Sequence, residues 1–288
     1  MQANLLLLIT ALIWGFGFVA QRMGMDHLGP YAFNVCRFLV GALSLLPLLF
    51  FFRKKEGGSI EFSPSFWKFS ILAGCALFGG ATLQQVGIQY TTVGKAGFIT
   101  GLYVVIVPIL GLYLHQKIGR WTVIGCVLAV LGLYFLSIKK DFSMGWGETL
   151  VLIGAFFWAV HVQVIGSANN RKVDALRLAL VQYLVCAGLN LILSLIFETV
   201  SINQMMQASG AILYAGVVSV GIAFTLQVIA QKRVDPSRAA IILNLEAVFA
   251  VLAGWLFFAE ILSEREFLGC LLMFAGMMLS QLPSKKKQ

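Results

Sequence analysis

Charge is scarce in this sequence. Lys, Arg, Asp and Glu make up 11% of its 288 residues, whereas 59% are hydrophobic. A soluble domain carries about 25% charged and 45–50% apolar residues, so the composition excludes a water-soluble globular chain. Strictly alternating polarity is missing as well, which excludes a membrane barrel. Histidine is rare, and His27, His115 and His161 fall on separate stretches with no metal-ligand spacing. The aspartates Asp26, Asp141, Asp174 and Asp235 all lie in gaps between apolar runs. No phosphate-binding glycine loop occurs, so ATP-driven work by this chain alone is not expected. Neither a cofactor nor a bound metal is expected. The five cysteines lie inside apolar runs, their number is odd and no CxxC occurs. They read as small, reduced, buried residues.

What is present is a series of apolar runs about 20 residues long, the length a helix needs to cross roughly 30 Å of hydrocarbon. Ten such runs fall at about 4–22, 31–52, 66–89, 95–115, 120–138, 147–167, 175–197, 208–231, 237–259 and 264–282. The first has no basic leader or convincing cleavage site and reads as a retained span. The fold class expected is an all-α integral membrane protein of ten transmembrane helices. The net charge of +9 does not point to nucleic acid, because the basic residues sit in short gaps rather than on one face. Arg53, Lys54, Lys55, Arg171, Lys172, Lys232, Arg233 and the tail Lys285, Lys286 and Lys287 fall on the side of the N-terminus. The positive-inside rule then puts both termini in the cytoplasm, in a plasma or inner membrane. The partners expected are the lipid bilayer and a small-molecule substrate. Association into a homodimer stays open.

The two halves of the chain match each other. "IGCVLAVLG" (124–132) aligns with "LGCLLMFAG" (268–276), and "TLQ" (82–84) with "TLQ" (225–227). "KAGFITGL" (95–102) aligns with "RAAIILNL" (238–245), and "ALIW" (11–14) with "AFFW" (155–158). The offset between the copies is constant to within one residue. We therefore divide the chain into repeats at 1–140 and 141–288. Five spans per repeat is an odd number, so the second enters the membrane from the opposite side. Inverted repeats are a construction of secondary transporters, with the binding site near midplane between them.

Several stretches carry a family resemblance over nearly the whole chain: "LIWGFGFV" (12–19), "CRFLVGA" (36–42), "GFITGLYVVIVPILG" (97–111), "LNLEAVFAVLAGWLFFAE" (243–260) and "FLGCLLMFAGMML" (267–279). The chain resembles the EamA-type members of the drug/metabolite transporter superfamily. The resemblance implies two EamA repeats and, in many members, export of amino acids or other metabolites. One departure stands out. The family often has proline after the midspan glutamate of the ninth span, where this chain has Ala247, while Pro108 keeps a helix-breaking residue in the first half.

Polar residues inside a span are costly and face the bundle interior. Glu246 lies near the middle of the ninth span, where a lone carboxylate favours its proton-bearing form, a chemistry suited to proton coupling or to a structural hydrogen bond. Its repeat mate is Tyr103, and the two suggest a shared central cavity. Asn244, about 200° away on the same helix, reads as interhelical packing against small residues. Arg37 could hold a substrate carboxylate, pair with Glu246, or snorkel. Thr82 and Gln85 on the third span, with Gln227 on the eighth, read as neutral polar walls. Trp14 and Trp158 are repeat mates deep in their spans, either stacking walls or core. His161 shares a face with Trp158 and is a titrating candidate or a satisfied core residue. Glu260 and its mate Gln116 read as loop anchors.

These residues suit a secondary transporter working by alternating access, exporting a zwitterion or small metabolite against protons. The alternatives are a channel or non-transporting scaffold, for which no charged ring or filter loop appears, and a membrane-embedded enzyme, which lacks a convergent catalytic set.

Overall fold

The computed structural model describes residues 2–56, 63–114, 119–137, 144–171, 173–234, 236–280 and 282. Among them there are helices and no strand. In chain order these are α1 (Gln2–Gly24), α2 (Pro30–Glu56), α3 (Pro64–Ile88), α4 (Val93–Gly101), α5 (Tyr103–Tyr113), α6 (Arg120–Ser137), α7 (Trp146–Asn170), α8 (Ala175–Phe197), α9 (Ile202–Gln207), α10 (Ser209–Ala230), α11 (Pro236–Leu243), α12 (Glu246–Phe258) and α13 (Glu264–Ser280). The starts are set by local chemistry. Ser63 accepts a bond from Phe66 N at 3.2 Å with Pro64 in the first turn, and Thr92 accepts from Lys95 N at 3.2 Å. Asp174 accepts from Arg177 N at 2.7 Å. Each side chain satisfies a backbone donor that the first turn leaves open.

Helix meets every one of the ten expected stretches. Eight of them, counted among the described residues, are long and apolar enough to cross a membrane. The other two, α6 and α13, pack against each other and fall outside that set. The repeat boundary expected at 140/141 lies outside the described residues, as do Gln116, His115 and Lys285 to Lys287. The molecule turns large apolar side chains outward, among them Leu43, Leu195, Phe197, Trp255 and Ile261, a surface that water would not tolerate and lipid does. Cys75 joins that surface rather than the interior, and Cys126 is half-buried. The expectation that all five cysteines are buried is corrected for these two, because helix phase turns them off the core.

Three departures from regular helix matter for the centre. The fourth expected span breaks at Leu102 into α4 and α5, and the ninth breaks at Asn244 and Leu245 into α11 and α12. Both breaks tighten into i to i+3 bonds, Leu102 N to Ile99 O at 3.1 Å and Leu245 N to Ile242 O at 3.2 Å. The break before Glu246 forms without proline at 247. The third departure is a widened π stretch, Tyr214–Phe224, inside α10. Its carbonyls at Ser219, Val220 and Ala223 accept bonds from Trp14 Nε1 (3.2 Å), Tyr183 Oη (3.0 Å) and Thr10 Oγ1 (3.3 Å).

Close backbone approach brings the broken helices together. A methyl group at Gly97 of α4 would sit 2.5 Å from the Ala250 side chain of α12. One at Gly101 would collide with the Asn244 amide oxygen, and one at Gly15 of α1 would lie 2.9 Å from the Glu246 carbonyl. Asn244 thus packs against its own repeat mate. Gly97→Leu is expected to lower the thermal midpoint of the detergent-solubilised protein, since overpacking a tight seam costs about 1–3 kcal/mol or more. Gly188→Ala on α8 adds a methyl where nothing lies within 4 Å, and is expected to leave the midpoint unchanged or raise it. Equal midpoints for the two variants would contradict the seam.

Candidate functional site

The two half-helices that start at Tyr103 and Glu246 begin at the same place, the wall of a central cavity of about 40 Å³. At roughly 10–15 Å³ per water this space holds only a few waters. In this conformation the space is too small for a solute much larger than water. Glu246 and Tyr103 are buried, and each is the first residue of its half-helix. A half-helix start presents backbone N–H groups and the positive end of its dipole, which favours negative charge nearby. The Tyr103 hydroxyl lies beside the Glu246 carboxylate, within electrostatic reach but without a well-formed hydrogen bond.

Much of the wall consists of residues related by one sequence offset. Trp14 and Trp158, Phe18 and Val162, Gln84 and Gln227, Thr100 and Leu243, and Tyr103 and Glu246 all line it, each pair 143 or 144 residues apart. The pairs are chemically unequal. The indole N–H of Trp14 donates to Ser219 O at 3.2 Å, while that of Trp158 has no partner among the described residues. Gln84 donates to Thr100 Oγ1 at 3.3 Å, while the amide oxygen of Gln227 accepts nothing. Arg37 completes the wall from α2 without a mate there. Its guanidinium is inside the protein, 4.9 Å from the Phe38 ring centroid and 6.0 Å from that of Phe33. Snorkelling is thereby corrected: the side chain turns inward.

Of the residues singled out from sequence, the cavity gathers Trp14, Arg37, Tyr103, Trp158, Gln227 and Glu246. Thr82 and Gln85 are turned elsewhere. Thr82 donates to Asn190 Oδ1 at 3.0 Å, and Gln85 donates to Gln21 O at 3.2 Å. Their expected place on the wall is corrected, because one residue rotates a helix by about 100° and Gln84 takes the inward position. The repeat already carried that signal, since Gln84 aligns with Gln227 in the two "TLQ" segments. His161 is buried behind the wall, its Nε2 2.8 Å from Gln182 Oε1. Phe224, which no sequence pattern marked, is the aromatic hub. It meets Trp14 at 4.5 Å, stacks on Trp158 at 5.8 Å and contacts His161 at 6.0 Å.

At one end of the bundle, carboxylates hold helix starts. Glu198, just past α8, accepts from Tyr31 N at 2.9 Å and Ala32 N at 2.7 Å at the start of α2. Glu260, just past α12, accepts from Val93 N at 2.9 Å and Gly94 N at 3.0 Å at the start of α4. Ala259 takes a left-handed backbone (φ 51°) that turns Glu260 back toward α4. Lys95 adds an ion pair to Glu266 at 2.6 Å at that end, and Arg22 donates to Ile88 O at 2.7 Å.

The profile of the EamA-like transporter family matches residues 1–138 and again 145–282. The chain belongs to the EamA-like transporter family. Among its relatives is an uncharacterized transporter of Archaeoglobus fulgidus, 32% identical, with the match covering 98% of this chain and 86% of that one. The uncharacterized transporter YoaV of Bacillus subtilis is 27% identical, over 94% of each chain. A protein crystal structure superposes with a TM-score of 0.75 at 18% identity, covering 99% of this chain and 98% of that one, a likeness of fold. This EamA protein is thus a multi-pass membrane transporter, in keeping with the drug/metabolite transporter superfamily.

If the wall is as described, a cysteine at position 84 meets the cavity and one at 85 does not. In a background without native cysteines, Gln84→Cys in membranes is expected to react with a small methanethiosulfonate reagent much faster than Gln85→Cys. Equal rates would contradict the assignment.

Proposed function

We propose that this EamA transporter exports small organic metabolites, amino acids among them, by alternating access, and that Glu246 carries the coupled proton. The observation that carries the reading is the meeting of two broken helices, one starting at Tyr103 and the other at Glu246, on one small central cavity. Discontinuous helices meeting at midplane are the usual ion and substrate site of secondary transporters.

The proposal includes ten spans in two inverted repeats, 1–140 and 141–288. Helix pairing supports it. The α3–α7 packing has its counterpart in α1–α10, α3–α8 in α2–α10, and α1–α12 in α5–α7. The pair α4–α12 has its counterpart in α5–α11, and α2–α8 and α6–α13 map onto themselves. With 18 and 17 residues, α6 and α13 reach about 26 Å at 1.5 Å per residue, close to a hydrocarbon thickness. Both termini face the cytoplasm of a plasma or inner membrane, which puts the Glu198 and Glu260 clamps outside. The conformation is then closed toward the exterior.

In the cycle, Glu246 takes a proton from outside, returns inward, and releases it as substrate enters. Substrate must compete with the proton for the carboxylate. The test is efflux from proteoliposomes loaded with a panel of amino acids and related metabolites, with and without a pH gradient. The parent is expected to accelerate when the outside is acid. Glu246→Gln is expected to lose that acceleration, with a rate loss of about 10²-fold or more if the proton step is obligatory. Undiminished, still pH-driven efflux by Glu246→Gln would contradict the role.

A further inference from the structure

The cavity wall holds a cation that no carboxylate neutralises. Arg37 is 4% exposed, and among the described residues no carboxylate lies within ion-pair distance of it. Its Nε has no hydrogen-bond partner. Burying an ion without a counter-charge costs several kcal/mol even after relaxation, and a ring face at 4.9 Å offsets only part of that. The position is held by close packing of α2 on α10. A methyl group at Gly216 would lie 2.6 Å from Val40 Cβ and 3.0 Å from the Arg37 carbonyl. The backbone from which Arg37 reaches the cavity is thus held in place.

A second unused donor lies on the same wall. The indole N–H of Trp158 has no partner among the described residues, although its mate Trp14 bonds Ser219 O at 3.2 Å. Phe224 links the two groups, stacking on Trp158 at 5.8 Å and lying 6.4 Å from Phe38, the ring beneath Arg37. A buried cation with an unpartnered Nε and a buried neutral donor with no partner, both on the wall of one cavity, are suited to an oxyanion held between them.

We propose that Arg37, assisted by Trp158, is a carboxylate subsite, and that the solutes carried are organic carboxylates. This rests on the transporter reading of the cavity and deepens it. Arg37 receives the carboxylate in a two-pronged contact, which the planar guanidinium suits better than an ammonium would. Trp158 donates one further bond. Glu246 and Tyr103 remain for the other end of the solute, so an amino acid would be held by both charges at once.

The test measures thermal stabilisation of the purified protein by each of the twenty amino acids, their carboxamides, the matching amines and inorganic phosphate. A ligand that binds only the folded state raises the midpoint by mass action. One or more amino acids are expected to stabilise the parent, while the matching carboxamides and amines do not. Arg37→Gln is expected to weaken that binding by about tenfold to a hundredfold, the loss for hydrogen bonds to a charged group. Arg37→Lys should restore part of it. Trp158→Phe keeps the ring, and is expected to weaken the acid several-fold if Arg37→Gln does not fold. Stabilisation by carboxamides or amines equal to that by acids would overturn the subsite, as would unchanged acid binding by the Trp158 variant together with Arg37→Gln. So would no response to any carboxylate, or a response to phosphate alone. Efflux of amines or neutral solutes in those cases would leave the transporter standing and remove this inference; no efflux of any solute would remove both.

Discussion

Along the seam between α4 and α12 there is no room for a side chain at two successive turns. Gly97 meets Ala250 and Gly101 meets Asn244 at distances that exclude even a methyl group. That approach is what places the starts of α5 and α12 against one cavity. In a water-free interior every backbone polar group needs an internal partner, so a helix can break there only where neighbours enclose it. The seam provides the enclosure, and the tightened turns at Leu102 and Leu245 keep the backbone bonded. The position of Glu246 follows from this geometry rather than from the carboxylate itself.

The frame is paired and the chemistry is not. Tyr103 stands where the second half has Glu246, and Trp14 spends its donor where Trp158 keeps one. The wall of this cavity carries a carboxylate from the second half, Glu246, and a guanidinium from the first, Arg37. The π stretch of α10 adds to the asymmetry, since its counterpart α3 is regular α-helix. Three side chains from α1 and α8 donate hydrogen bonds to carbonyls of that stretch, so the cavity wall there is pinned to both neighbours.

Much of this was readable from sequence, for a definite physical reason. Apolar runs and basic gaps record the membrane directly, so the helix positions agree to within a few residues. The offset between the repeats paired Tyr103 with Glu246 and Trp14 with Trp158 before any geometry was known. Where single-helix phase was trusted over the repeat, it misplaced the wall: Thr82 and Gln85 were expected where Gln84 stands. The break before Glu246 has no proline to mark it in the sequence, because the tight turn forms beside Asn244 without one. Phe224 was invisible because its role comes from rings on α1, α2, α7 and α8 meeting it. The Glu198 clamp was missed for the same reason, since both of its partners are backbone N–H groups far away in sequence.

Alternating access requires that the two ends of the bundle open in turn about the fixed seam. In the proposed cycle, the end clamped by Glu198 and Glu260 must release. Pulsed electron-spin distance measurements test this most directly, with one label pair across that end, at Tyr90 and Val200, and a second pair across the opposite end, at Leu48 and Lys232. The account expects two populations at each end with opposite weights, and expects acid pH to shift both pairs in opposite senses. A single distance at both ends across pH, in protein that transports, would contradict it.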